Sequence, residues 1–358
     1  MIDIKNLEHI GFDKWFRDKL DLSKLNNFQL GRVTTVYGES YLITDGKREV
    51  TAEITGKLMF SADSPLDFPT VGDWCLVQNL GEDSLAIIHE VIERKSILKR
   101  KRAGKSVEFQ SIAANIDCAL IVQSLDSDYS IRRFERYLVM AREGNIQPVF
   151  LLSKSDLLSE SEIIQKKEEI RQSNPDVQVI AFSNKIGTNL DEIKGLLLAG
   201  KTFCLIGSSG VGKTSLLNKL IGEDRFATKD VREKDQKGKH TTTNRQLLML
   251  ENGSMIIDTP GMRELGNIAV ETAIEETFDE ITELETSCRF SNCSHKQENG
   301  CAILEALEQG VFSRDRYQNY LKMRQESERN DATYAEKRKK NKKLSKLYRS
   351  VQKRNQKN

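Results

Sequence analysis

The sequence predicts a multidomain fold: an N-terminal OB-type β-barrel, a circularly permuted α/β P-loop domain, and a C-terminal α-helical domain with a zinc-binding cluster. Three observations carry this prediction. Five short alternating strands follow Leu30, and a phosphate-binding loop follows a strand within a later strand–helix alternation. Three cysteines and a histidine then fall between Cys288 and Cys301. At 358 residues, 38% hydrophobic and 30% charged, the chain can bury more than one core, and wholesale disorder is excluded. No apolar run approaches the ~18 residues of a membrane span. The N-terminus lacks a cationic segment followed by an apolar stretch. A soluble, monomeric, cytoplasmic protein is expected.

Residues 1–27 read as a short helical extension with Trp15, Phe16 and Leu20 on an apolar face. Over 28–95 the strands LGRVTTV, SYLIT, VTAEI, GDWCLV and LAIIHEV alternate and are broken at Gly38, Asp45-Gly46 and Gly56. The count suits an OB-type barrel, although any small β-domain would meet it. Residues 96–270 follow as an α/β domain. IDCALIVQSL (116–125), PVFLL (148–152), VQVIAF (177–182), TFCLI (202–206) and SMIID (254–258) are near-continuous apolar runs, as expected of strands covered on both faces. Helical patterns lie at 131–143, 159–173, 189–198 and 213–222. Residues 271–330 read as helical around the cysteine cluster, and 331–358 as a basic tail.

The sharpest motif is Gly207-Ser208-Ser209-Gly210-Val211-Gly212-Lys213-Thr214, followed by Ser215, between an apolar strand and a helical stretch. Its glycines let successive backbone N–H groups face phosphates at a helix N-terminus. Lys213 is placed to bridge β- and γ-phosphates, and the Thr214 hydroxyl to ligate Mg2+. Asp258-Thr-Pro-Gly261 ends a later strand, where the Asp can support the Mg2+ shell and the Gly261 amide a γ-phosphate. As a bare tetrapeptide it is also a good turn. Between them Gly238-Lys-His240-Thr241-Thr242 lies where a switch belongs, with Thr242 able to complete Mg2+ coordination.

Guanine is usually read by an Asn/Thr-Lys-x-Asp loop after a parallel strand. Here Ser153-Lys154-Ser155-Asp156 follows PVFLL, with Asp156 for the base N1 and N2 donors and Ser where Asn is usual. A plain helix N-cap is the other reading of these residues. Ser183-Asn184-Lys185 occupies the place of a second base loop, where Ser183 and Lys185 are candidates. The base loops precede the phosphate loop, the reverse of ordinary small GTPases, so the same sheet forms only if the chain is circularly permuted.

Cys288-x4-Cys293-x-His295-x5-Cys301 offers three thiolates and an imidazole, which suit a closed tetrahedral structural Zn2+ site. Cys75, Cys118 and Cys204 lie in apparent strands and read as core residues. The net charge of +2 conceals an asymmetry. Residues 331–358 carry +9, leaving −7 for residues 1–330, and Arg94–Lys105 holds seven Lys/Arg. Two such runs point to a polyanionic partner.

The set Ser153-Lys-Ser-Asp156, GSSGVGKTS, GKHTTT, DTPGMRE and CRFSNCSHKQENGC resembles the circularly permuted, ribosome small-subunit-dependent GTPases of the RsgA/YjeQ type. VGDW (71–74), RKSILKR (94–100), QSIAANID (110–117) and RRFERYL (132–138) extend the similarity over about residues 28–325. The resemblance implies an OB-fold, a permuted GTPase domain and a zinc domain that contact ribosomal RNA. It also implies GTP hydrolysis stimulated by the small ribosomal subunit late in its maturation, with assembly factors as further partners. Met262 stands after D-x-x-G where many GTPases carry a water-orienting Gln, so unaided hydrolysis is expected to be slow. His240 is the best replacement, and the resemblance implies the same role; a histidine that merely packs the switch is the alternative. Two rival functions are a nucleotide-gated rRNA-binding scaffold with incidental hydrolysis and an ATP-using P-loop enzyme, the latter supported only by Ser153.

Overall fold

The computed structural model describes residues 7–79, 85–101, 109–223, 226, 245–258 and 271–328. They fall into two compact units: the described residues of 1–100 and 110–265, and those of 101–109 and 266–358.

The first unit begins with a segment in which Asp13 caps α1 (Lys14–Lys19) by accepting from the Trp15 N–H at 3.0 Å. Leu7, Ile10, Phe12 and Phe16 are buried here, and Phe12 meets Trp74 edge-on at 4.9 Å. The barrel strands are β1 (Gln29–Tyr37), β2 (Ser40–Thr44), β3 (Glu49–Ile54), β4 (Trp74–Gln78) and β5 (Ala86–Val91). Their order β1-β2-β3-β5-β4, closed by pairing of β4 with β1, makes a five-stranded barrel of OB type. Inward positions of the alternating strands fill it: Val33, Ile43, Ala52, Cys75, Val77 and Ile88. Helix α2 (Gly56–Ser61), between β3 and β4, packs on this core through Leu58.

A two-stranded ribbon, β6 (Ile97–Lys101) with β7 (Phe109–Ala114), leads from the barrel to the α/β sheet. The sequence reading had only a basic strip here. Three of its cations are held inside the fold. Arg94 donates to both oxygens of the buried Asp73 at 2.8 and 2.7 Å and to the carbonyls of Leu66 and Phe68. Lys95 bridges Asp13 at 3.2 Å and Asp117 at 2.9 Å, and Lys99 pairs with Glu143 at 2.7 Å. These three are therefore structural cations, not free phosphate contacts. Residues 102–105 and the tail 331–358 lie outside the described residues.

The sheet continues with β8 (Cys118–Ser124), β9 (Gln147–Ser153), β10 (Gln178–Ala181), β11 (Thr202–Ile206), β12 (Gln246–Met249) and β13 (Met255–Asp258). The order is β10-β9-β8-β11-β13-β12, parallel except for β12. Helices α3 (Ile131–Glu143) and α4 (Glu160–Ser173) cover one face, over Ala119, Ile121, Phe150 and Leu152. Helices α5 (Leu190–Leu196) and α6 (Lys213–Ile221) cover the other, over Leu120, Val122, Val149 and Leu151. Burial on both faces explains why these strands read as unbroken apolar runs. Cys118 and Cys204 are core residues of this sheet, as Cys75 is of the barrel.

Barrel and sheet are joined. β1 pairs antiparallel with β12 at Thr35↔Gln246, so one ladder of eleven strands runs through both. Beside that joint lies Arg32, 1% exposed, donating to the carbonyls of Gly72, Ile10 and Asn115, to Thr202 Oγ1 and to Met255 Sδ.

The second unit contains α7 (Glu271–Thr277), α8 (Asp279–Glu285), α9 (Ala302–Glu308) and a helix over 314–328, here α10. Phe278, Ile281, Ile303, Tyr320 and Met323 form its interior. Arg316, buried against the Phe278 ring at 4.8 Å, donates to Glu280 and to the Thr277 carbonyl. Among the described residues no helix is long and apolar enough to cross a membrane.

Replacing Arg32 with Met strands several buried carbonyls and should lower stability by about 3–5 kcal/mol in urea unfolding of the full chain. Arg32→Lys should recover little, because an ammonium cannot reach acceptors arrayed around a planar fork. A Met variant within about 1 kcal/mol of wild type would show that Arg32 is packing alone.

Candidate functional site

The parallel strands all end at one edge of the sheet. From β8 the chain steps outward to β9 and β10, then returns to the other side of β8 with β11. At that reversal the chain leaves β8 for α3 on one face and β11 for α6 on the other, and the strand ends at such a switch point are the usual ligand position in open α/β sheets.

The phosphate loop runs from Gly207 to Gly212 between β11 and α6. A Cβ on Gly207 would meet the Val122 carbonyl oxygen at 2.2 Å, so only glycine allows the chain to leave β11 so close to β8. Lys213 Nζ bends back to the carbonyls of Gly207 at 2.7 Å and Ser208 at 2.5 Å. That posture sets an ammonium beside a loop of N–H groups at a helix N-terminus, which fits a polyphosphate. Thr214 is exposed in the first turn of α6. Asp258 ends β13, opposite Gln246.

Helix α3 holds the loop from outside. Arg133 donates to Ser208 Oγ at 3.0 Å and is fixed by both oxygens of Asp128 at 2.7 and 3.1 Å. That pairing raises the Arg133 guanidinium above its ordinary range. Tyr137, one turn along, also hydrogen-bonds Ser208, while burial raises its hydroxyl. The sequence reading gave Arg133 and Tyr137 no site role; their i, i+4 spacing in RRFERYL was the available signal.

The first base loop is built around Lys154 in the left-handed conformation, φ 60°. Ser153 is fully buried, and its hydroxyl donates to the Val211 carbonyl at 2.6 Å, towards the phosphate loop. Lys154 Nζ pairs with Asp126 Oδ2 at 2.7 Å. Burial alone would raise the Asp126 carboxyl; Lys154, the Ser124 hydroxyl and the Asp128 amide hold it at about 2. Ser155 is buried, and its N–H donates to the Phe182 carbonyl at 3.1 Å. Asp156 Oδ1 accepts from Ser183 Oγ at 2.5 Å, and this bond holds its carboxyl below the ordinary range. Thus 153–156 and 183–185 form one cluster against the phosphate loop, with Lys185 exposed at its rim. His240, Thr242, Gly261 and Met262 lie outside the described residues.

In the second unit, Cys288, Cys293, His295 and Cys301 bring their ligand atoms within 4.8 Å of one another. His295 Nδ1 is 3.6 Å from both Cys288 Sγ and Cys301 Sγ, and those sulfurs are 3.9 Å apart. A tetrahedron with ordinary Zn–S and Zn–N lengths has edges of ~3.6 Å (S···N) and ~3.8 Å (S···S), so the donor set and spacing fit Zn2+. His295 Nε2 lies 3.6 Å from Glu285 Oε1, on the side away from the sulfurs. Burial lowers the His295 imidazole pKa, favouring the neutral ligand form.

The permuted loop order, the phosphate loop and the base loop define a circularly permuted P-loop GTPase. A family model described as RsgA GTPase matches residues 91–268. "Small ribosomal subunit biogenesis GTPase RsgA 2" of Lactiplantibacillus plantarum is 40% identical over 306 residues, covering 86% of this chain and 85% of that protein. The chain therefore belongs to the RsgA GTPase family, and its enzymatic class is GTP hydrolase. The structure of YjeQ from Thermotoga maritima matches with a TM-score of 0.61 at 26% identity, covering 84% of this chain and 98% of that one. YloQ, described as a circularly permuted GTPase, matches in fold with a TM-score of 0.59 at 23% identity, covering 84% and 96%.

The purified chain should carry a tightly held, stoichiometric metal through gel filtration. Replacement by Co2+ should give the intense visible bands of a tetrahedral thiolate site. Cys301→Ser should release the metal and reduce helical circular dichroism; metal content unchanged by that substitution would remove Cys301 from the ligand set.

Proposed function

We propose that this protein hydrolyses GTP on the small ribosomal subunit, as a late step in that subunit's maturation, and that the subunit stimulates the reaction. The carrying observation is the cluster in which Asp156, held by Ser183, and the phosphate loop, held by Ser153, meet at one edge of the sheet. The names of relatives, one of them 40% identical, support the subunit as the partner. The modules we assign are the barrel at 28–95, the GTPase domain at 96–270 and the zinc domain at 271–330. Residues 1–27 are an extension and 331–358 a basic tail suited to rRNA phosphates.

In this reading Asp156 accepts from guanine N1 and N2, and Ser155, Ser183 and Lys185 shape the base pocket. The N–H groups of 207–215 cradle the phosphates, and Lys213 moves from the Gly207 and Ser208 carbonyls to phosphate oxygens. Thr214, Thr242 and Asp258 are the groups suited to hold Mg2+, which neutralises phosphate charge when bound. The Gly261 amide faces the γ-phosphate. His240 orients or deprotonates the attacking water, since Met262 offers no polar atom for that task. Cys288, Cys293, His295 and Cys301 hold a structural Zn2+ with no open position for substrate. The protein acts as a cytoplasmic monomer, with assembly factors as additional partners.

The test is GTP turnover alone and with purified small subunits, large subunits or free RNA. Slow intrinsic turnover raised only by small subunits is expected. Binding to the subunit without stimulation would leave a nucleotide-gated scaffold instead. His240→Ala should lose about a hundredfold of the stimulated rate and keep GTP affinity within about twofold. An unchanged stimulated rate would sink the assignment of His240.

A further inference from the structure

Two consecutive carbonyls of the phosphate loop are held by side chains from the base loops. Val211 O accepts from Ser153 Oγ at 2.6 Å, and Gly212 O accepts from Asn184 Nδ2 at 3.1 Å. In a trans peptide the C=O and the following N–H point in opposite directions. Gly212 O also accepts the first helical bond, from Leu216 N–H at 2.9 Å, so Asn184 is its second donor. With these two carbonyls held outward, the Gly212 and Lys213 N–H groups are aimed into the loop, where an anion is cradled.

Asn184 is itself well fixed. Its neighbour Ser183 accepts from the Lys185 and Ile186 amides at 3.2 and 3.4 Å and donates to Asp156. The turn is closed by Gly187 N–H to the Ser183 carbonyl at 3.0 Å. A Cβ on Gly212 would meet Asn184 Nδ2 at 3.0 Å, so the amide lies tight against the loop. Asn184 Oδ1 is buried with no hydrogen-bond partner among the described residues.

Base loops of GTP-binding proteins usually begin with Asn, and this one begins with Ser153, whose single donor is committed to Val211. The geometry points to Asn184 as the positioning residue that supplies the missing amide, tying the base-recognition loop to the phosphate loop from the second base loop. Neighbouring residues then hold the two ends of the nucleotide site: Ser183 holds Asp156, and Asn184 holds Gly212. This rests on the guanine-nucleotide reading above.

The test uses the full chain and fluorescent GDP and ADP. Asn184→Ala should weaken GDP binding about tenfold. Asn184→Asp, which keeps the shape and loses the donor, should weaken it at least as much. Ser153→Asn in the Asn184→Ala background should restore affinity to within about threefold of wild type, a recovery that a merely structural role for Asn184 would not give. GDP binding by Asn184→Ala within about twofold of wild type, or no recovery in the double variant, overturns the inference. Should the Ala variant melt early, Asn184→Asp with and without Ser153→Asn carries the same comparison. A wild type that binds ADP as tightly as GDP overturns the guanine role of Asp156 instead, so the two failures are distinguishable.

Discussion

The buried guanidinium of Arg32 is the interaction on which the first unit turns. It gathers acceptors from the N-terminal segment at Ile10, the barrel at Gly72, the connection to the α/β sheet at Asn115, and strands β11 and β13 at Thr202 and Met255. Burial lowers its pKa to about 10, with Asp117, Asp73 and Asp13 as the opposing charges, so it stays protonated at neutral pH. Arg32 sits on β1, which pairs with β2, β4 and β12, so the same residue locates the barrel against the sheet. Around it Lys95 and Lys201 share Asp13 and Asp117, and Asp117 also accepts from the Thr202 N–H at 2.9 Å.

Much of this architecture was legible wherever one chain segment carries its own signal. SYLIT and TFCLI match β2 and β11 residue for residue, because apolar runs end abruptly at turn residues. The helix over 131–143 was equally plain from its apolar period. The ribbon β6–β7 was not. ILKRK has too few apolar positions, and its Lys99 is neutralised by Glu143 from a helix far along the chain. β12 is four residues long, too short for a period, and its place is set by pairing on both sides with β13 and β1. Within the site, the motif residues could be read singly, but the contacts between motifs could not. Asn184 lies between two residues that were singled out, and its partner Gly212 is 28 positions away.

Charge illustrates the same limit. Arg94, Lys95 and Lys99 looked like an RNA-facing strip because Arg94–Lys105 holds seven Lys/Arg and no acid. Their counter-charges come from elsewhere: Asp73 precedes Arg94 by 21 residues, and Asp13 precedes Lys95 by 82. Burial of Asp73 opposes its ionisation, and Arg94 works against that burial. A run of cations thus predicts a polyanion only after its distant carboxylates have been accounted for, and here that removes Arg94, Lys95 and Lys99 from the strip.

Permutation has a mechanical consequence for the phosphate loop. The side chains that the described residues set against it from outside, Arg133, Tyr137, Ser153 and Asn184, belong to chain that precedes it. The loop therefore rests on strands β8, β9 and β10 and their connections, all earlier in the chain. On that later side the described chain is anchored at two points. The Asn218 amide exchanges hydrogen bonds with the backbone of Phe226 at 2.9 and 3.0 Å. Arg245, its pKa lowered to about 10 by burial, donates to the Ser111 carbonyl at 2.8 Å as β12 begins. β12 then pairs with β1 of the barrel. Because β12 also pairs with β13, which ends in Asp258, the second anchor, the barrel and a strand that ends at the site are tied through one four-residue strand.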